Sequence, residues 1–182
     1  MNAQYDGPQG WYAGAMLGDM RFGEQRRSPL LLGYAGRVFP LATGLDAEAG
    51  ATYTHFSGVP GYDYSEAYAG LIAERWHGRL YYSGNYFDRQ QRSLYAELGG
   101  NVSLRGDETI QAFGQLGALG QIGGANTGTR GRTRLDLRAG AAWRHGAGQL
   151  SLAWVTAGRG GPYSGSYGGP RNACVLGALW AF

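Results

Sequence analysis

Hydrophobic and polar residues alternate at every second position along most of the chain. This period of two is typical of a β-strand and not of a helix. In segment 132–143, one set of alternate residues is Thr, Leu, Leu, Ala, Ala and Trp, whereas the other set includes three arginines and an aspartate. Segments 92–104 and 109–119 repeat the pattern, and no segment of convincing length has a helical period. We therefore expect an all-β protein.

Ten strands are predicted after residue 10, separated by segments rich in Gly, Pro, Asn and Asp. They span residues 11–22, 30–39, 47–56, 66–76, 79–87, 92–104, 109–119, 132–143, 149–156 and 172–182. His77 and Gly78 are expected to form a tight hairpin connection. Residues 2–5 could be the tail of an earlier strand, with 7–10 as a short turn. In that case one further strand is missing, and the intact fold has twelve.

Short and long connections alternate along the predicted strand series. Turns near 42–46, 105–108 and 144–148 are short, whereas the segments 57–65, 120–131 and 157–171 are long. This alternation is typical of an up-and-down barrel with short periplasmic turns and longer outer loops. The last segment, 172–182, is uncharged and ends on the aromatic Phe182, as the closing strand of an outer-membrane barrel does. We expect an antiparallel up-and-down transmembrane β-barrel of 10–12 strands.

The charged face of segment 132–143 decides which side of the sheet is wet. An arginine on the lipid-facing side near the bilayer midplane costs roughly 2–4 kcal/mol, so three arginines are expected to face water. The opposite set then faces lipid, and the residues predicted to do so are Leu94, Leu98, Leu135, Leu137 and Leu152. A soluble sandwich also has one wet face, and it stays open as an alternative. The tryptophans nevertheless fall near strand ends, as in an interfacial belt: Trp11, Trp76, Trp143, Trp154 and Trp180.

Composition narrows the class of protein further. The 182 residues include 34 Gly and 24 aromatic side chains (13 Tyr, 6 Phe and 5 Trp), which fits one β-domain over residues 1–182. Basic residues are dispersed among acidic ones and the net charge is only +3, so we expect no nucleic-acid partner. Cys174 is the single cysteine, so no intrachain disulfide is expected. The start MNAQYDG lacks a signal peptide, which for an outer-membrane protein implies a mature or truncated start.

Four stretches carry a family resemblance. GWYAG at 10–14, YYSGNYF at 81–87 followed by LYAELGGNVSL at 94–104, and RLDLRAGAAWRHGAGQLSLAWV at 134–155 resemble the TorF-type porin family of proteobacterial outer-membrane proteins. The resemblance covers nearly the whole chain from about residue 3. It implies a porin-like role in the bacterial outer membrane and a further strand before Tyr5. It supplies no catalytic residues.

A passive channel is the first function that these patterns predict. Its partners would be outer-membrane lipids and small polar solutes or ions, with no cofactor and no metal. Mixed charges inside a narrow barrel would form a polar lumen, or would pair and plug it so that the barrel is mainly structural. The candidate pore-lining residues are Arg37, Glu48, Glu74, Arg79, Glu97, Arg134, Asp136 and Arg138.

Two other functions stay open at this point. A membrane-embedded hydrolase would need a histidine with a nucleophile or a carboxylate nearby at one rim, and His55 is followed by Ser57, Asp63 and Ser65. His55, however, shares its alternation with Ala49, Ala51 and Tyr53, the set expected to face lipid. A surface-binding role could use the Gly-rich segment 161–171, which contains Tyr163 and Tyr167. His77 and His145 are interpreted as polar turn residues.

Overall fold

The computed structural model describes residues 1–22, 26–59, 61–88, 90–106, 109–124, 133–161 and 171–180. Eleven strands form one antiparallel sheet in which each strand pairs with its neighbours in sequence. The strands are β1 (Asn2–Asp6), β2 (Trp11–Phe22), β3 (Arg26–Ala42), β4 (Leu45–Phe56), β5 (Tyr64–Ala73), β6 (Trp76–Tyr86), β7 (Gln91–Ser103), β8 (Ile110–Gly124), β9 (Thr133–His145), β10 (Gly148–Ala157) and β11 (Arg171–Trp180). The predicted all-β, antiparallel up-and-down architecture is confirmed.

The strand bounds differ from the prediction in several places. Residues 2–6 form a strand of their own, β1, which pairs with β2 after the short turn Pro8–Gly10. The hairpin predicted at His77 and Gly78 is wrong, because both residues lie in β6 and the turn is at 74–75. Residues 120–124, expected in a loop because of their glycines, continue β8 because they pair with β7, with a register shift opposite Arg92 and Ser93. The remainder of that loop, 125–132, lies outside the described residues.

The strand register sorts the side chains into two faces. Cross-strand partners Glu48–Gly70, Arg79–Glu97 and Gly117–Asp136 share one side, which we call the polar face. The opposite side, which we call the apolar face, carries an exposed leucine from each of nine strands: Leu17, Leu31, Leu71, Leu80, Leu98, Leu116, Leu135, Leu152 and Leu176. The five leucines expected to face lipid all lie on this apolar face.

Burial is the reverse of what a soluble sheet shows. The buried residues are on the polar face and include Glu48, Thr54 and Ser93, whereas leucines of the apolar face, such as Leu116, are 59% exposed. Hydrogen bonds on the polar face also reach over intervening strands, as from Tyr12 of β2 to Glu48 of β4. A single sheet can bury side chains in this way when it curves around them. The polar face is therefore the concave side.

On the polar face, glycines lie at the positions where tyrosine rings from neighbouring strands need space. A Cβ atom at Gly50 would overlap the Tyr68 hydroxyl, and one at Gly117 would overlap that of Tyr95. The rings therefore lie flat across neighbouring strands, over positions that have no side chain. This explains why a chain rich in both residue types forms long, regular strands, although glycine in a strand is unfavourable in isolation.

Tryptophans mark one edge of the sheet on the apolar face. Trp11 and Trp76 begin their strands beside short turns, and Trp143 and Trp180 lie near the ends of theirs at the same edge. The strand-end positions predicted for these four residues are thus confirmed. Trp154 instead lies inside β10, opposite Ala139 in the middle of β9. No helix in the described part of the chain is long and apolar enough to cross a membrane.

The two edges of the sheet are β1 and β11. Within the described residues no ladder joins them, so the sheet is open, and closure into a barrel stays a prediction. β11 is exposed along nearly its whole length.

Candidate functional site

The centre of the polar face is an ion pair between Glu48 of β4 and Arg79 of β6. Arg79 Nε donates to Glu48 Oε1, and an Nη2 bond of 3.2 Å to Oε2 makes the pair bidentate. The Tyr12 hydroxyl also donates to Glu48 Oε2, at 2.9 Å. Glu48 is only 3% exposed, so its charge depends on these partners. The pair spans the intervening strand β5, where Gly70 leaves the necessary space.

Glu97 of β7 forms a second centre beside the first. Its carboxylate accepts from Gln115 Nε2 at 2.8 Å and from the Tyr81 hydroxyl at 3.4 Å. Arg79 Nη1 lies 3.7 Å from Glu97 Oε1, so one guanidinium contacts both carboxylates. His77 Nε2 is 3.9 Å from the same oxygen. The result is a continuous polar network from β2 to β8.

A row of tyrosine rings crosses the same face at right angles to the strands. The Tyr12 and Tyr68 hydroxyls are 2.6 Å apart, and the ring centroids of Tyr68 and Tyr81 are separated by 5.3 Å. Tyr81 and Tyr95 follow at 5.9 Å, and the Tyr95 hydroxyl donates to Asp136 at 3.1 Å. The row thus connects the network around Glu48 with the charged residues of β9.

Beside Glu48 the polar face lines a half-open cavity of about 440 Å³. Its wall comes from β1 to β6 and combines carboxylates, tyrosine rings and one arginine. The lining residues used below are Asp6, Tyr12, Tyr34, Glu48, Glu66 and Arg79.

Charge is divided unevenly along the polar face. Among the residues whose side chains the structure describes, β1 to β7 contribute five carboxylates and one arginine. In contrast, β9 to β11 contribute four arginines and one carboxylate. The carboxylates are Asp6, Asp46, Glu48, Glu66, Glu97 and Asp136, and the arginines are Arg79, Arg134, Arg138, Arg144 and Arg171. A curved sheet with this distribution has one acidic wall and one basic wall.

Six of the eight predicted pore-lining residues lie on this polar face: Glu48, Arg79, Glu97, Arg134, Asp136 and Arg138. Arg134 is buried, and Arg138 lies over the Phe113 ring, with its Cζ 5.2 Å from the ring centroid. Asp136 is between the two arginines on the strand, as expected, but its hydrogen bond is to Tyr95 of β7.

The other two predicted residues lie elsewhere. Arg37 pairs across the sheet with Trp11 and Ala49, so it belongs to the apolar face. Its guanidinium is 5.4 Å from the centroid of the Trp11 ring, beside the short turn between β1 and β2. Glu74 lies in the turn between β5 and β6, because β5 ends at Ala73, and its side chain is 83% exposed.

An aromatic cluster fills the polar face at the edge with the long connections. It comprises Phe56, Tyr62, Tyr64, Tyr86 and Phe87. The ring centroids of Tyr86 and Phe87 are 4.4 Å apart, and those of Tyr64 and Tyr86 are 4.7 Å apart. Sequence alternation missed this cluster, because Tyr62 and Phe87 lie outside the strands. It narrows this end of the polar face between β4 and β6.

The predicted hydrolase residues come together in part. His55 Nδ1 lies 2.7 Å from Asp63 Oδ2, and the Tyr53 hydroxyl donates to the same oxygen at 3.2 Å. Phe56 N donates to Asp63 Oδ1 at 2.9 Å, which ties Asp63 to the end of β4. Burial raises the pKa of the Asp63 carboxyl, but the hydrogen bonds from Phe56, His55 and Tyr53 outweigh it, so the pKa is lowered.

A nucleophile is missing from this arrangement. Within the described part of the chain, neither the Ser57 nor the Ser65 hydroxyl forms a hydrogen bond to His55. His55 also lies on the apolar face, as its alternation predicts. These hydrogen bonds hold Asp63 beside the end of β4, and the arrangement does not support catalysis. Residues 162–170 of the predicted surface-binding segment lie outside the described residues.

No group of three or more His, Cys, Asp or Glu residues in the described ranges is arranged to hold a metal ion. Comparisons with protein-family models, with curated proteins and with solved structures find no match to this chain. The TorF-type resemblance therefore stays a prediction, and the function has to be argued from the sheet itself.

Proposed function

We propose that the protein is an outer-membrane β-barrel that acts as a porin-like passive channel for small polar solutes or ions. The observation that carries this proposal is the reversed polarity of the sheet. Its apolar face carries an exposed leucine from nine strands, while its concave face holds buried ion pairs. In water this arrangement would expose a large apolar surface, which monomeric soluble proteins rarely do. In a bilayer the same surface contacts lipid.

The tryptophan positions support the proposed orientation. Trp11, Trp76, Trp143 and Trp180 share the short-turn edge of the apolar face. Aromatic girdles of this kind lie at the membrane interfaces of outer-membrane barrels, whose short turns are periplasmic. The short-turn edge is therefore the periplasmic side, and the long connections face outwards.

The lumen of such a channel would be narrow. Eight-stranded barrels are filled by their own side chains, whereas sixteen strands leave an aqueous pore. Eleven strands fall between these cases. The network around Glu48 and the aromatic cluster occupy much of the acidic wall, so any path runs beside the arginines of β9.

Single-channel recording in planar bilayers tests this proposal. Folded protein should give small conductance steps, and protein unfolded by boiling should give none. Changing Arg134 and Arg138 together to Ser should shift the reversal potential in a salt gradient towards cation selectivity, because two positive charges leave the polar face. Arg37→Ser is the matched control, since it removes a positive charge from the apolar face and should leave selectivity unchanged.

The alternative function is a structural or surface-binding barrel without conduction. It would be supported if the protein inserts into vesicles and shows heat-dependent electrophoretic mobility, yet yields no conductance steps. Failure to insert into vesicles would overturn the membrane assignment itself.

A further inference from the structure

The cavity beside Glu48 carries an excess of negative charge. Asp6, Glu48 and Glu66 contribute three carboxylates, and Arg79 contributes one guanidinium. The guanidinium is already bound to Glu48 and also contacts Glu97. Two carboxylates of the cavity wall thus have no cation of their own within the described residues.

The partners of these two carboxylates are neutral. Asp6 accepts a hydrogen bond from Gln4 Nε2 at 2.8 Å, and Glu66 accepts one from the Thr52 hydroxyl at 3.4 Å. Glu66 comes from β5 and Asp6 from β1, so they lie in different parts of the cavity wall. Glu66 is half-buried, whereas Asp6 is exposed on the edge strand β1. A carboxylate in a partly buried site is stabilised by a nearby positive charge, so Glu66 is the position better suited to a cationic guest.

Aromatic rings complete the wall. Tyr12, Tyr34 and Tyr81 are half-buried and line the same cavity as Asp6 and Glu66. The face of an aromatic ring attracts cations, and aromatic cages combined with carboxylates recognise alkylammonium groups. A volume of about 440 Å³ is also that of a site for a small organic molecule, and is far larger than a single metal ion requires.

Two buried hydroxyls of the polar face lie outside the set of residues that line the cavity. Thr54 lies two residues beyond the cavity residue Thr52 on the same face of β4, and it is 2% exposed. Its Oγ1 has no hydrogen-bond partner among the described residues, and the same holds for Ser83 Oγ of β6. Buried hydroxyls in this state are usually satisfied by water or by a bound molecule.

We propose that this cavity binds a small organic cation of the alkylammonium class, held by Asp6 and Glu66 and by the neighbouring tyrosine rings. The inference rests on the proposed function, because it names the class of solute that would be retained on the polar face. Monatomic cations would gain the charge interaction but would leave most of the cavity unfilled.

Calorimetric titration of the detergent-refolded protein with choline tests the proposal. The neutral isostere 3,3-dimethyl-1-butanol has the same shape without the charge and should bind at least about tenfold more weakly. Glu66→Gln should weaken choline binding by a similar factor, about tenfold. Glu74→Gln removes the same charge from an exposed turn and is the matched control, which should bind choline as the unmodified protein does.

Three outcomes would overturn the inference: no choline binding by the folded protein, equal binding of choline and its neutral isostere, or unchanged affinity in Glu66→Gln. Heat-dependent electrophoretic mobility of each variant shows whether it has folded, and Asp6→Asn replaces Glu66→Gln if the latter does not fold. Channel recordings test the proposed channel function independently of choline binding. Conductance without choline binding would refute this inference alone, and choline binding without conductance would refute the channel alone.

Discussion

The Tyr12 hydroxyl lies 2.6 Å from the Tyr68 hydroxyl, although three strand spacings separate β2 from β5. At about 4.8 Å per spacing, their backbones are roughly 14 Å apart on a flat sheet. The two rings meet because they lie flat on the concave face, over Gly36 and Gly50. Glycine positions on this face are thus fixed by the tyrosines that cover them.

Gly50→Ala should destabilise the protein by about 1–3 kcal/mol, the usual range for overpacking. The added Cβ atom would overlap the Tyr68 hydroxyl and the Ala35 carbonyl oxygen. Gly33→Ala is the matched control, because it lies in the neighbouring strand and its Cβ atom would have no neighbour within 4 Å. Urea unfolding from lipid vesicles measures both variants. Equal stability of the two would show that the rings do not need the space at Gly50.

Arg79→Met should destabilise the fold by about 3 kcal/mol, because it leaves a buried carboxylate without its cation. The Glu48 side chain is 1% exposed and depends on Arg79 for its charge-assisted bonds. The double variant Glu48→Gln with Arg79→Met should recover part of the loss, since the unpaired charge is then absent. The same urea titration applies. A double variant no more stable than Arg79→Met would mean that Arg79 acts mainly through Glu97.

Leu116→Arg should impair membrane assembly by roughly 2–4 kcal/mol if the apolar face contacts lipid. The adjacent residue, Gln115, lies on the polar face and already donates to Glu97. Gln115→Arg therefore adds the same charge beside a carboxylate and should fold normally. Folding yield into vesicles, read from heat-dependent mobility, compares the two. Normal assembly of Leu116→Arg would argue for a soluble environment around the apolar face.

The contact between Asp63 and the end of β4 should loosen in acid. The pKa of Asp63 in the folded protein is below its ordinary value of 3.8, so the stability that it contributes is fully present above that value. This stability is lost as the pH falls through the lower, folded-state pKa. Hydrogen exchange at Phe56 N, which donates to Asp63, should accelerate over that range. In Asp63→Asn the exchange should be faster already at neutral pH and should lose this acid dependence.

The period-two alternation alone determined much of the architecture. It predicted the all-β class, the up-and-down order and the apolar face, because neighbouring residues of any strand point to opposite sides. Segment 132–143 was unambiguous, since its arginines and leucines occupy different sets. The tryptophan positions at strand ends also followed from the sequence directly.

For Arg37 and Glu74, the alternation along the chain was not enough to predict their positions in the sheet. Segment 30–39 is apolar in both alternate sets, so alternation alone does not show on which side of the sheet Arg37 lies. Pairing with Ala49 and Trp11 places Arg37 on the apolar face. Glu74 lies in a turn because the register of β5 with β6, in which Ile72 pairs with His77, fixes where the chain reverses.

The polar network was decided by the tertiary structure. Nothing in the local pattern of Glu48, Arg79 or Glu97 shows that one guanidinium contacts both carboxylates. That contact depends on the offset between three strands, on the curvature of the sheet and on a glycine that leaves room between them. A sequence specifies which side of its own strand a residue occupies, whereas the partner across the sheet follows from register, which the turns and the packing of all the strands set together.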